Sequence, residues 1–175
     1  MKPAIVFSIT MIFVTMMFIA SSVSAQDLFP LKRKPYLLTV AVDKKTTYEE
    51  NLPEANYVLP DQTVQLYPGE TVFIEIEQAN GVVKNVRAVT ENKFPEKTLI
   101  ISFTQISKKK VHEGMMLKIQ NPFRYTLKYD AKTYLLNYKN WVNARVLPIQ
   151  PGLSAYETWA EVITSVAVGN LTFEL

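Results

Sequence analysis

Glu157 and Trp159 stand two residues apart, so an extended backbone would project both from one face. Trp141, with Tyr134 and Tyr138 upstream of it, can add ring surface to that face. An aromatic surface of this kind suits stacking on sugars or on a partner chain. The same residues also have a packing role. Tryptophan buries a large area and commonly anchors a sandwich core, leaving Glu157 to satisfy backbone donors or to pair with a base such as Arg145. Trp141, Trp159, Glu157 and Tyr138 are the candidate binding residues.

The acids offer a second chemistry. A glycosidase pair needs two carboxyls roughly 5–10 Å apart across a sugar site, and Glu49, Glu50, Glu75, Glu77, Glu157 and Glu161 are the acids to consider. Glu75 and Glu77 fall on one strand face with Phe73, which reads more simply as a hydrated sheet face. His112 is the sole histidine; it follows Lys108–Lys110 and precedes Glu113-Gly114, the setting of a solvated turn. No Gly-x-Ser-x-Gly elbow accompanies it. One histidine and no cysteine argue against a transition-metal site. There is no Gly-rich phosphate loop or nucleotide motif. The sequence thus assigns no catalytic residue, no cofactor and no metal.

Charge narrows the partners. Without Lys2, the 19 basic residues fall to 18, against 16 acidic ones, too even a balance to argue for nucleic acid. The basic clusters Lys32–Lys34 and Lys108–Lys110 read as a solvated linker and a loop.

The elements that must position these groups are strands. Val72, Ile74 and Ile76 alternate with Phe73, Glu75 and Glu77, and Tyr125, Leu127 and Tyr129 alternate with Thr126 and Lys128. That period of two marks strands with one buried face. It places strands at Tyr36–Val42, Thr63–Tyr67, Thr71–Gln78, Val82–Val89, Thr98–Ile106, Met115–Gln120, Arg124–Asp130, Thr133–Tyr138, Ala144–Ile149, Thr164–Val168 and Leu171–Leu175. Asn80-Gly81 is the strongest hairpin signal, because a type I′ turn needs positive φ at both central residues. Gly169-Asn170 suggests a terminal hairpin. Thr46 to Asp61, with Pro53 and Pro60, reads as irregular. Ser154 to Val162 reads as extended, with a capped helical turn as the alternative. The expected fold class is an all-β, antiparallel, Ig-like β-sandwich.

At the start, Met1-Lys2 leads into an uncharged apolar run from Ala4 to Ala20 and the small-residue site Val23-Ser24-Ala25. This is the form of a secretory signal peptide, with an uncleaved anchor as the alternative. The expected organisation is a signal peptide at 1–25, a linker at 26–34 and one domain at 35–175, periplasmic or secreted, with no stable transmembrane anchor after cleavage. Lacking cysteine, that domain must hold by its core alone.

The stretch Gly114–Pro122, followed by Tyr125–Tyr129, the Pro151-Gly152 turn and Trp159, resembles small exported Ig-like sandwich proteins of Gram-negative bacteria, and more distantly the sandwiches of pilus assembly. The pilus chaperones' paired basic residues have no counterpart here. The expectation is a non-catalytic module that binds an envelope protein partner through loops or an edge strand, with Thr98–Ile106 as the pairing strand or, as the equal alternative, a central one. The alternatives are a carbohydrate-binding module and, third, a carboxylate-based hydrolase.

Overall fold

A computed structural model describes residues 30–174. The segment expected to be a signal peptide and the first part of the expected linker lie outside the described residues. The first strands are β1 (Lys32–Arg33), β2 (Tyr36–Ala41), β3 (Thr47–Leu52), β4 (Ala55–Asn56), β5 (Val64–Leu66), β6 (Glu70–Ala79) and β7 (Val82–Val89). They are followed by β8 (Thr98–Lys108), β9 (Val111–Gln120), β10 (Thr126–Leu135), β11 (Asn140–Ala144), β12 (Ser154–Trp159) and β13 (Ile163–Glu174). No helix among the described residues is long and apolar enough to cross a membrane.

Two antiparallel sheets make a sandwich. One has the order β12-β9-β8-β6-β7 and the other β11-β10-β13-β5. Alternation puts Ile74, Ile76, Leu99, Ile101, Phe103, Leu117 and Ile119 on the inner face of the first sheet, where they meet Leu66, Leu127, Val166 and Val168 of the second. These side chains form one continuous buried core, the part of the fold that stands in for disulfides. The β2–β3 hairpin is a separate unit, joined to the sandwich through a smaller core of Leu38, Val40, Leu52 and Val162.

The Asn80-Gly81 turn forms as expected, with φ of 52° and 77°, and joins β6 to β7. Four expectations are corrected. Gly169-Asn170 is no hairpin: only Asn170 has positive φ, at 51°, so the type I′ geometry is unmet and the chain runs on as one bulged strand, β13. The strands expected at Arg124–Asp130 and Thr133–Tyr138 are likewise one strand, β10. The supposedly irregular 46–61 stretch contains β3, which ends at Leu52 before Pro53. Ala144–Ile149 is not a strand; β11 ends at Ala144, and Ile149 makes a lone bridge to Leu127.

The two basic clusters also differ from their sequence reading. Arg33 is 2% exposed instead of solvated. Lys109 and Lys110, with φ of 50° and 64°, are the two central residues of a tight β8–β9 hairpin turn. Thr98–Ile106 lies within β8, where Thr98–Phe103 pairs with β6 and the strand from Ile100 on pairs with β9, so its Leu99–Ile101 run is central and no open edge. Its unbroken Leu99-Ile100-Ile101 run is what a strand buried between neighbours requires.

Candidate functional site: an open strand edge

The two sides of the sandwich differ. On one side, residues 145–153 cross between the sheets and close the gap. Leu127 and Ile149 exchange backbone hydrogen bonds of 2.9 and 2.8 Å. The buried Asn121 amide donates to the carbonyls of Tyr125 and Ile149 at 2.9 and 3.0 Å. Its Oδ1 accepts from the Phe123 N–H at 3.0 Å, an Asx turn that makes the corner between β9 and β10.

The other side is closed only at one end, where Phe173 N–H donates to Gly81 O at 3.3 Å. Among the described strands, β7 pairs with β6 alone. The second sheet ends there at β5, extended by an irregular ribbon in which Val58 bridges Val64 and Leu59 N–H donates to Thr63 O at 2.8 Å. Pro60, which has no N–H to give, ends that pairing. Between ribbon and strand runs a groove of about 380 Å³, with Leu31, Val58 and Leu59 on one wall and Asn85–Ala88 of β7 on the other. A shallower recess of about 180 Å³ shares Gln62 and Val86 and continues past Val83 to Leu171. The depression therefore follows β7 along most of its length.

Its chemistry is that of a half-finished sheet. Val86 and Ala88 belong to the core, so the groove floor is apolar. Asn56 lines the groove, and its buried Oδ1 has no hydrogen-bond partner. A buried acceptor left unmet costs about 1–3 kcal/mol, so a donor reaching it would be favourable. Gln62, at the junction of the two recesses, holds φ at 65°, a conformation uncommon outside Gly, Asn and Asp. Arg87 is engaged at 2.6 Å by the buried Glu75, which is therefore not on a hydrated face.

The ribbon wall is held from behind by an ion pair. Arg33 Nε and Nη2 donate to Glu70 at 2.7 and 3.0 Å, and Nη2 also donates to Gln65 O at 2.9 Å. Tyr36 OH and Tyr67 N–H donate to the same carboxylate. The guanidinium lies 4.7 Å from the ring centroids of both Tyr57 and Tyr67. Burial works against the charge on Arg33, but its hydrogen bond to Glu70, together with the charge of that carboxylate and the neighbouring tyrosines, outweighs it and raises the pKa. Burial, then the neighbouring Glu70 charge, pushes the Tyr36 phenol well above its ordinary range.

The four residues singled out in the sequence do not meet in one site. Glu157 and Trp159 share a face, as extended spacing requires, but their partners in register are the buried Leu117 and Met115. That is the inner face, and Trp159 packs against the core. Glu157 accepts from Tyr129 OH and Leu147 N–H, both at 3.4 Å, instead of pairing with Arg145. Burial, then this acid, raises the Tyr129 phenol. Trp141 belongs to β11 in the other sheet, is 38% exposed, and meets Tyr134 edge-on at 5.5 Å. Tyr138, 73% exposed, sits in the β10–β11 turn.

His112 is corrected too. It is part of β9, and both ring nitrogens are engaged, with Gln105 Nε2 and Ala160 O each at 2.9 Å. No group of His, Cys, Asp and Glu able to hold a metal occurs among the described residues. Sequence reasoning missed the groove, although Pro60 and the Lys84-Asn85 polarity within Val82–Val89 are the marks of an edge. Comparison with protein-family models, curated protein sequences and solved structures returned no match.

Proposed function

We infer that this chain is an exported protein, periplasmic or secreted, whose role is to bind an extended segment of another envelope polypeptide by adding it as a strand beside β7. The single observation that carries this reading is the groove along β7, a strand that pairs on one side only among the described strands. An unpaired edge offers backbone donors and acceptors at strand spacing, and only another backbone in extended form satisfies them in series. The groove supplies the rest of the recognition: an apolar floor at Val86 and Ala88 that would take alternate side chains of the guest. The resemblance to exported Ig-like sandwiches agrees with this role, and the role needs no catalytic residue.

The test is selection of displayed, unstructured peptides on the full chain, followed by affinity measurement. Selected peptides should alternate apolar and polar residues, and Leu59→Asp, at a half-open groove wall, should weaken them at least about tenfold. A pool that yields no binder, or binders indifferent to Leu59→Asp, would overturn the reading.

The carbohydrate alternative retains one supporting observation, the exposure of Tyr138 and Trp141 on the second sheet. With Trp159 packed against the core, that surface has one tryptophan and not two.

A further inference from the structure

We propose that His112 is the proton-sensitive member of a latch that ties the β2–β3 hairpin to the sandwich, so that acid releases the hairpin while the two sheets stay folded. The latch is a chain of side-chain hydrogen bonds whose directions are fixed by its two ends. At one end, Gln105 on β8 behaves like a strand partner for Ala41: its Oε1 accepts the Ala41 N–H at 2.9 Å and its Nε2 donates to Ala41 O at 2.7 Å. That pairing sets the amide orientation, so the group presented to His112 Nδ1 at 2.9 Å is an N–H donor. At the other end, Ala160 O, 2.9 Å from Nε2, can only accept. The imidazole must therefore carry its proton on Nε2 and accept at Nδ1, which is the neutral form.

A second proton has one place to go, Nδ1, where it would face the Gln105 NH₂ group, donor against donor. Turning the amide over would relieve that contact only by placing NH₂ against the Ala41 N–H and oxygen against oxygen. Either response breaks the tie. The charged groups on the surrounding elements are the Lys108–Lys110 turn and Glu113 on the β8–β9 side, Glu161 beside Ala160, and Asp43 with Lys44 and Lys45 at the hairpin tip. Asp43 already accepts from the Lys45 and Thr46 amides. The hairpin is otherwise attached at its far end, by Tyr36 OH to Glu70, and by a small cluster of Leu38, Val40, Leu52 and Val162 separate from the main core, so its Ala41 end can loosen without opening the sandwich.

Hydrogen exchange at the Ala41 amide, expressed as a protection factor so that the intrinsic pH dependence is divided out, tests this on the full chain. Between pH 7.5 and 5, protection at Ala41 should fall at least about fivefold while Ile101 in the central strand keeps its own. His112→Asn should abolish the pH response. Gln105→Glu should reverse its sign, because a carboxylate accepts from both Ala41 N–H and a protonated Nδ1. Unchanged Ala41 protection in the wild type, an equal acid response in His112→Asn, or the same sign in Gln105→Glu would each overturn the proposal.

Discussion

The Arg33 guanidinium forks onto the Glu70 carboxylate at 2.7 and 3.0 Å in an almost fully buried site, with the rings of Tyr57 and Tyr67 each 4.7 Å away. The two residues lie 37 positions apart and pin the N-terminal segment to the start of β6. Breaking a satisfied buried pair leaves one charge unpartnered, so Arg33→Ala should cost about 3–5 kcal/mol in urea unfolding. Replacing both partners, Arg33→Met with Glu70→Leu, should cost clearly less than the single change. A double variant as unstable as Arg33→Ala would mean that the pair is more than a self-contained charge unit.

The β8–β9 turn carries lysines where positive φ is required, with φ of 50° and 64°. Each β-carbon in that region costs roughly 1–2 kcal/mol. Lys109→Asn with Lys110→Gly should therefore raise the urea midpoint, by a stabilisation of about 1–2 kcal/mol. A lowered midpoint would show that the lysine side chains contribute more than the turn geometry costs.

The same turn explains what could be read from the sequence. The β6–β7 hairpin was legible because Asn80-Gly81 supplies the conformation with the residue types that favour it. Lys109-Lys110 adopts that conformation with unsuited residues, and so the 108–110 run looked like a loop. Gly169-Asn170 has suitable residues but only one positive φ, so it became a bulge. The alternation that set the inner faces of β6, β9 and β10 was visible because it is local. The groove was not, because its walls come from 58–62 and 85–88, and only the sheet order brings those segments together. Arg33 was misread for the same reason: its partner is a long-range one.

Tyr48 OH donates to Glu50 at 2.6 Å, and this bond, with burial second, pushes the phenol up to about 12. A phenol held protonated in the fold favours the folded state below the unfolded value of about 10, and that contribution is lost as the pH rises through the folded value. The alkaline absorbance titration should show a late-ionising component that is reduced in Tyr48→Phe. A titration unchanged by that substitution would contradict the assignment.

The two tryptophans should respond differently to truncation. Trp159→Ala removes a ring packed against the main core and should cost about 3–5 kcal/mol. Trp141→Ala, on an exposed edge, should cost less than about 1.5 kcal/mol, mainly its contact with Tyr134. Equal costs in thermal or urea unfolding would refute the inner-face placement of Trp159.

The most direct measurement is residue-resolved hydrogen exchange along β7 in the full chain, with and without a saturating peptide selected on it. A guest strand bonds every second backbone group on the open edge. Protection should therefore rise at alternate amides between Asn85 and Ala88, with no comparable gain along β11 or β12. A tightly bound peptide that leaves those amides unchanged, or that protects another edge instead, would contradict the account.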